Sequence, residues 1–136
     1  MGDVSTSYDA PQHCSAVKHS KHKTVSMDCP YTGKGDEFSP TNLVEAALGG
    51  CMLLAMGAMA MRHGIDLSEA RIDTTITATD KPVMRFQTID VQVAMPGGLS
   101  ASQRERCRSR YSAIALGCPK WVPPPYSEIT FSTSLT

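Results

Sequence analysis

The sequence predicts an α+β fold, with helices packed on antiparallel sheet. Three observations carry this. From Leu43 to Met61 the only charged residue is Glu45, which marks one long apolar helix. Residues 71–79 and 85–94 read as two alternating strands joined at Asp80-Lys81-Pro82, which marks a hairpin. Ser100 and Gln103 then form a capping-box pattern that opens a second helix. The order is strands, long helix, hairpin, helix, strand, without internal repeats, and 136 residues suit one domain over 1–136.

Within an N-terminal strand segment, 1–30, residues 11–28 read as two short strands. Cys29-Pro30-Tyr31-Thr32-Gly33-Lys34-Gly35-Asp36-Glu37 is rich in turn formers and reads as a loop. Ser39 is placed to cap a helix, and Pro40 suits its first position, where no backbone N–H is needed. The central helix spans 39–64, with Gly64 placed to end it in the left-handed conformation. A helix apolar on all sides needs cover on all sides, which one subunit of this size cannot easily supply. Ala46, Ala47, Gly49, Gly50, Ala55, Gly57 and Ala58 leave room for another backbone, so this helix is expected to be central and shared within a homodimer. A membrane span is not favoured, because the run is rich in Ala, Gly and Met and amphipathic strands follow. Met52, Met56 and Met59 recur at helical spacing and read as core.

In the hairpin, 70–95, Ile72, Ile76 and Ala78 share one face, with Arg71, Asp73, Thr75 and Thr77 on the other. Ile89, Val91 and Val93 are in phase and Phe86 is not, which predicts a bulge. The second helix, 100–117, aligns Cys107, Tyr111, Ile114 and Cys118 on one face. Pro123-Pro124-Pro125 excludes regular structure, and a terminal strand occupies 129–135.

Thirteen basic residues balance thirteen acidic ones and aromatics are few, so neither nucleic acid nor an anionic membrane is expected as a partner. The cluster Lys18, His19, Lys21, His22 and Lys23 suits a solvated strand edge. The opening MGDVSTSYDA lacks the basic-then-apolar pattern of a secretion signal, so a cytoplasmic location is expected. Five cysteines in a reducing compartment argue against structural disulfides. Without a Cys-x-x-Cys pair or zinc-type His spacing, neither metal nor bound cofactor is expected. Cys14, Cys29 and Cys107 read as structural, and Cys51 and Cys118 as the candidates for chemistry.

The stretch GKGDEFSPTNLVEAALGGCMLLAMGAMAMRHGIDLSEARI, Gly33 to Ile72, resembles the OsmC/Ohr family of stress-induced thiol peroxidases. Its Ser-Pro start, small-residue run, helical Cys and Gly-Ile-Asp-Leu exit carry the resemblance. Leu99-Ser100, Gln103-Arg104-Glu105-Arg106 and Cys118-Pro119 extend it to the second helix and second cysteine. The resemblance implies an intertwined OsmC-like homodimer acting on small organic hydroperoxides in the oxidative stress response. It implies that the Cys51 thiolate attacks the peroxide, that Cys118 resolves the sulfenic acid as a disulfide, and that an external lipoyl-type or small dithiol reduces it. A buried thiol ionises only where a cation or hydrogen-bond donors favour the thiolate. The family draws on an N-terminal Arg held by a Glu early in the long helix. This chain has no Arg before Arg62, and Thr41 and Asn42 stand where that Glu would fall. His13, Lys18, His19 and Glu45 are the candidate activating groups. Two alternatives follow from this departure: a non-catalytic dimer that binds a small apolar or thiol ligand, and a thiol redox sensor.

Overall fold

The computed structural model describes residues 2–81, 84–117 and 130–135, with side chains as far as residue 110. The chain divides into two compact units, Met1–Val44 and Glu45–Thr136.

The first unit is an antiparallel sheet of β1 (Val4–Tyr8), β2 (His13–Lys18) and β3 (Lys23–Asp28), in that order. The strands expected within 11–28 are β2 and β3. The additional strand, β1, pairs Val4 with Lys18 and Tyr8 with Cys14. All five of its side chains are exposed, so it carries no hydrophobic alternation and is held by its backbone ladder and by hydrogen bonds of Ser5 to His19 and Ser7 to Ser15. The loop beyond β3 is tied down by Asp28, a buried carboxylate that accepts the N–H groups of Asp36 (3.1 Å) and Glu37 (3.3 Å). The Cys29 N–H donates to the Gln12 carbonyl, extending the β2–β3 ladder by one residue.

α1 covers Pro40–His63. The Ser39 hydroxyl accepts the Asn42 N–H at 3.0 Å and the Asn42 side chain accepts the Ser39 N–H at 3.1 Å, a capping box with Asn at its far position. At the other end Gly64 has φ 63°, and the Ile65 N–H reaches back to the Ala60 carbonyl at 3.0 Å. This is the Schellman arrangement that glycine permits, and buried Ile65 supplies its usual apolar contact.

In the second unit β4 (Arg71–Thr79) and β5 (Arg85–Ala94) are antiparallel, and β6 (Thr130–Leu135) runs parallel to β5 on its other side. A parallel neighbour needs a long crossover, which α2 (Ala101–Gly117) lies within. The expected bulge is present. Thr77 faces Thr88 while Ala78 faces Phe86, so Gln87 is the extra residue. It also corrects one face assignment: Ile72, Thr74 and Ile76 turn inward and Ala78 is exposed. An extra residue on the partner strand disturbs the phase at Ala78. Leu48, Met52, Met56, Met59 and Ala60 of α1 pack with Ile89, Val91 and Val93 of β5 and Cys107 of α2 in one core cluster. α1 is long and apolar enough to cross a membrane, with mean hydropathy 1.8, but this face of it lies in the protein core. α2 opens with the expected capping box, the Ser100 N–H donating to Gln103 Oε1 at 2.8 Å and the Gln103 N–H to Ser100 Oγ at 3.2 Å.

Candidate functional site

α1 positions the principal candidate. Its core-facing stripe leaves the opposite face exposed among the described residues of the second unit. Ala47, Cys51, Leu54, Ala58 and Met61 recur at helical spacing along that face, and all are exposed. Leu54 is 77% and Met61 86% exposed, values unusual for large apolar residues on a structured helix. Cys51 is a free thiol within this stripe. Three and four residues from it on either side stand Ala47, Leu48, Leu54 and Ala55, so its surroundings on the helix are apolar. Not all the small residues of α1 serve that open face. A Cβ at Gly49 would lie 3.4 Å from Ile72 Cγ2 and from Thr74 Oγ1, so this glycine lets α1 approach its own sheet. Gly50 and Gly57 have nothing within 4 Å of a Cβ.

Glu45 lies on the same helix, about 9 Å along the axis from Cys51 and on a different face. Its Oε1 accepts the Ile76 N–H at 2.9 Å, which ties α1 to β4, an outer strand of the sheet. His13, Lys18 and His19 belong to the first unit, and each has a local partner. His13 Nδ1 is 3.2 Å from Asp9, Lys18 Nζ is 3.9 Å from Asp3, and His19 Nε2 is 2.7 Å from the Ser5 hydroxyl. Cys118 lies outside the described residues. The structure thus brings Glu45 and Cys51 onto one helix and keeps the three basic candidates in the first unit, His13 and Lys18 on β2 and His19 in the turn after it.

The other described cysteines differ sharply in setting. Cys107 is fully buried, and burial pushes its thiol up from the ordinary value. Cys29 is partly exposed at the start of its loop. The Thr32 hydroxyl, then the backbone N–H groups of Thr32, Tyr31 and Gly33, hold its thiol below the ordinary value against a smaller opposing effect of burial. From composition alone Cys29 groups with the structural cysteines. The signal that sets it apart is Thr32, three residues on, with Gly33 permitting the tight turn. A Cβ at Gly33 would come within 2.7 Å of the Cys29 carbonyl oxygen. Among the described residues no group of three or more His, Cys, Asp or Glu side chains could hold a metal ion.

Comparison with known proteins bears on the same segment. The family model for OsmC-like protein matches residues 33–116, from the loop before α1 to the last turn of α2. No curated protein matches the sequence. Among solved structures, one from Psychrobacter arcticus, described as an osmotic stress induced and detoxification response protein, superposes with TM-score 0.84 at 21% identity. The match covers 100% of this chain and 96% of that one. An OsmC-like protein from Mycoplasma pneumoniae gives TM-score 0.76 at 13% identity, covering 98% and 94%. An organic hydroperoxide resistance protein from Legionella pneumophila gives 0.67 at 13% identity, covering 98% and 96%. At these identities the likeness is one of fold.

Proposed function

Because this chain belongs to the OsmC-like family, we propose that it reduces organic hydroperoxides with Cys51 as the attacking thiol. The observation that carries this reading is the place of Cys51, exposed on an apolar face of α1 within the segment the family model matches. Structural neighbours from Legionella pneumophila and Elizabethkingia anophelis are organic hydroperoxide resistance proteins, which supports a peroxide-related role.

The Cys51 thiolate attacks one peroxide oxygen, and the O–O bond breaks. The alkoxide leaves, takes a proton and departs as the alcohol, while Cys51 becomes a sulfenic acid. The Cys118 thiol then displaces water from that sulfur and forms a disulfide. An external dithiol, lipoyl-type or a small thiol, restores both cysteines by exchange. An apolar face suits the organic half of the substrate. Cys51 lies three turns into α1, where the helix N-terminal dipole gives little help, so the group that favours the thiolate must come from elsewhere. His13, Lys18 and His19 are the candidates for that role. Glu45 serves by holding α1 to β4. The proposed assembly is a homodimer in the reducing cytoplasm, with the partner covering the open face of α1.

The test follows consumption of cumene hydroperoxide with a dithiol present. Wild-type protein is expected to turn over, and Cys51→Ser to fall to the rate of the protein-free mixture. Cys118→Ser is expected to complete one oxidation and stall. If Cys51→Ser consumes peroxide as fast as wild type, the assignment is wrong. A second reading, a non-catalytic dimer that binds a small apolar or thiol ligand, draws on the local partners already held by His13, Lys18 and His19. A native mass spectrum with a bound small molecule, and no Cys51–Cys118 disulfide after peroxide treatment, would favour it.

A further inference from the structure

α1 and α2 line an open, shallow groove of about 530 Å³ on the second unit. Its apolar lining is Met59, itself nearly buried and part of the core. The remaining lining is polar, with two arginines among six residues. Arg106 and Arg110 stand one turn apart on α2, with Ser102 and Ser109 in the same lining and Glu105 as its single carboxylate; the Ser102 hydroxyl lies 3.2 Å from that of Ser100. His63 lines it from the last turn of α1.

Two features set this groove apart from an ordinary charged helix face. Arg106 Nη1 lies 3.3 Å from His63 Nε2. A guanidinium has only donors, so in this contact the imidazole nitrogen is the acceptor. The guanidinium is thereby held against α1, with its remaining N–H groups to offer. Further, among the described residues neither Arg106 nor Arg110 forms an ion pair, although Glu105 lines the same groove. Two guanidiniums against one carboxylate leave net positive charge, with hydroxyl donors beside it. α2 is fixed from behind by fully buried Cys107, so the donors ride on a packed element and not on a loop.

We propose that this groove binds a phosphate-type oxyanion, with Arg106 and Arg110 as the charged grip and Ser102 and Ser109 as hydroxyl donors. Planar guanidiniums match tetrahedral oxyanions through paired, charge-assisted hydrogen bonds, which lysines would not reproduce. The shared chemistry is the phosphate group, whether carried on a soluble ester or on a lipid headgroup. Met59 gives an apolar body beside that group something to lie against. Cys51 takes no part, so the site stands or falls independently of peroxide reduction.

The experiment titrates the full chain with inorganic phosphate and with phenyl phosphate at low ionic strength, by calorimetry and by thermal melting. Chloride at matched ionic strength is the control. Saturable heat and a rise in melting temperature are expected with phosphate and not with chloride. Arg106→Gln/Arg110→Gln, both exposed positions, should weaken binding about tenfold or more through the loss of charge-assisted bonds. Arg110→Gln alone, which removes no hydrogen bond shown within the described residues, should act in the same direction. Arg108→Gln makes the same change of charge outside the groove and should bind as wild type. Sedimentation with phosphatidylcholine vesicles, with and without phosphatidic acid, distinguishes the sources. Arginine-dependent capture only with phosphatidic acid assigns a lipid, and phosphate binding without capture assigns a soluble ester. Absence of saturable binding, equal binding by the double variant, or equal loss in Arg108→Gln overturns the proposal.

Discussion

Cys29 and Cys107 carry the same side chain into opposite surroundings. Around Cys29 hydrogen bonding from the Thr32 side chain, then from the backbone of Thr32, Tyr31 and Gly33, favours the thiolate and lowers its pKa. Around Cys107 there is only core, which favours the neutral thiol and raises it. Reactivity toward an alkylating agent follows thiolate fraction and access, so the two should separate cleanly. With iodoacetamide on native protein, mapped by mass spectrometry, Cys29 should be modified with a pH midpoint below that of an ordinary thiol. Cys107 should be modified only after denaturation. Thr32→Val removes the leading cause and should move the Cys29 midpoint upward; an unchanged profile would show that the hydroxyl plays no part. The linkage has a definite sign. A depressed acid contributes stability that is full above its unfolded value and is lost as pH falls through the folded one. Cys29 therefore favours the folded state at alkaline pH.

Helix termini show how far local chemistry determines an element. Gly64 closes α1 with φ 63°, and alanine there would meet the steric cost of the left-handed region, about 1 kcal/mol or somewhat more. Gly64→Ala should lower the free energy of unfolding by that amount in urea, with an unchanged slope. An unaffected midpoint would mean that the turn rearranges at no cost. Such signals explain what was legible in the sequence. Ser39, Pro40, Gly64, Ser100 and Gln103 mark helix ends through contacts spanning a few residues, and all act as their chemistry dictates. What the sequence could not convey depended on partners distant along the chain. β1 has five exposed side chains and exists through its pairing with β2. Ala78 faces outward because of a bulge at Gln87 on another strand, and β6 joins β5 in parallel. The site was legible to the same extent. A helix carrying Cys51 was evident, but which of its faces remains open follows only from what packs on Met52 and Met56. Cys118 lies outside the described residues, so its pairing rests on the resemblance.

At the scale of the molecule, the open face of α1 poses a question that one chain does not answer. Val44, Leu54 and Met61 are 40%, 77% and 86% exposed, and Gly50 and Gly57 leave space beside the helix. A membrane is a poor cover, since the opposite face of α1 is committed to a sheet and a second helix. A second copy of this chain is the better one, because a two-fold interface presents the same stripe from both sides. Burying a large apolar side chain contributes about 1.5–3 kcal/mol, and two-fold symmetry counts each position twice. Leu54→Glu reverses that contribution and adds the cost of desolvating a carboxylate. At about 1.4 kcal/mol per tenfold, dimer affinity should fall by well over tenfold. Light scattering after size exclusion should show a dimer for wild type at micromolar concentration and a shift to monomer for Leu54→Glu, with Met61→Glu following it. If the partner also completes the surroundings of Cys51, peroxide turnover should fall with dissociation and recover at high protein concentration, although Cys51 itself is intact. Wild-type protein that is already a monomer, or a Leu54→Glu variant that stays dimeric, would show that this stripe is not the interface.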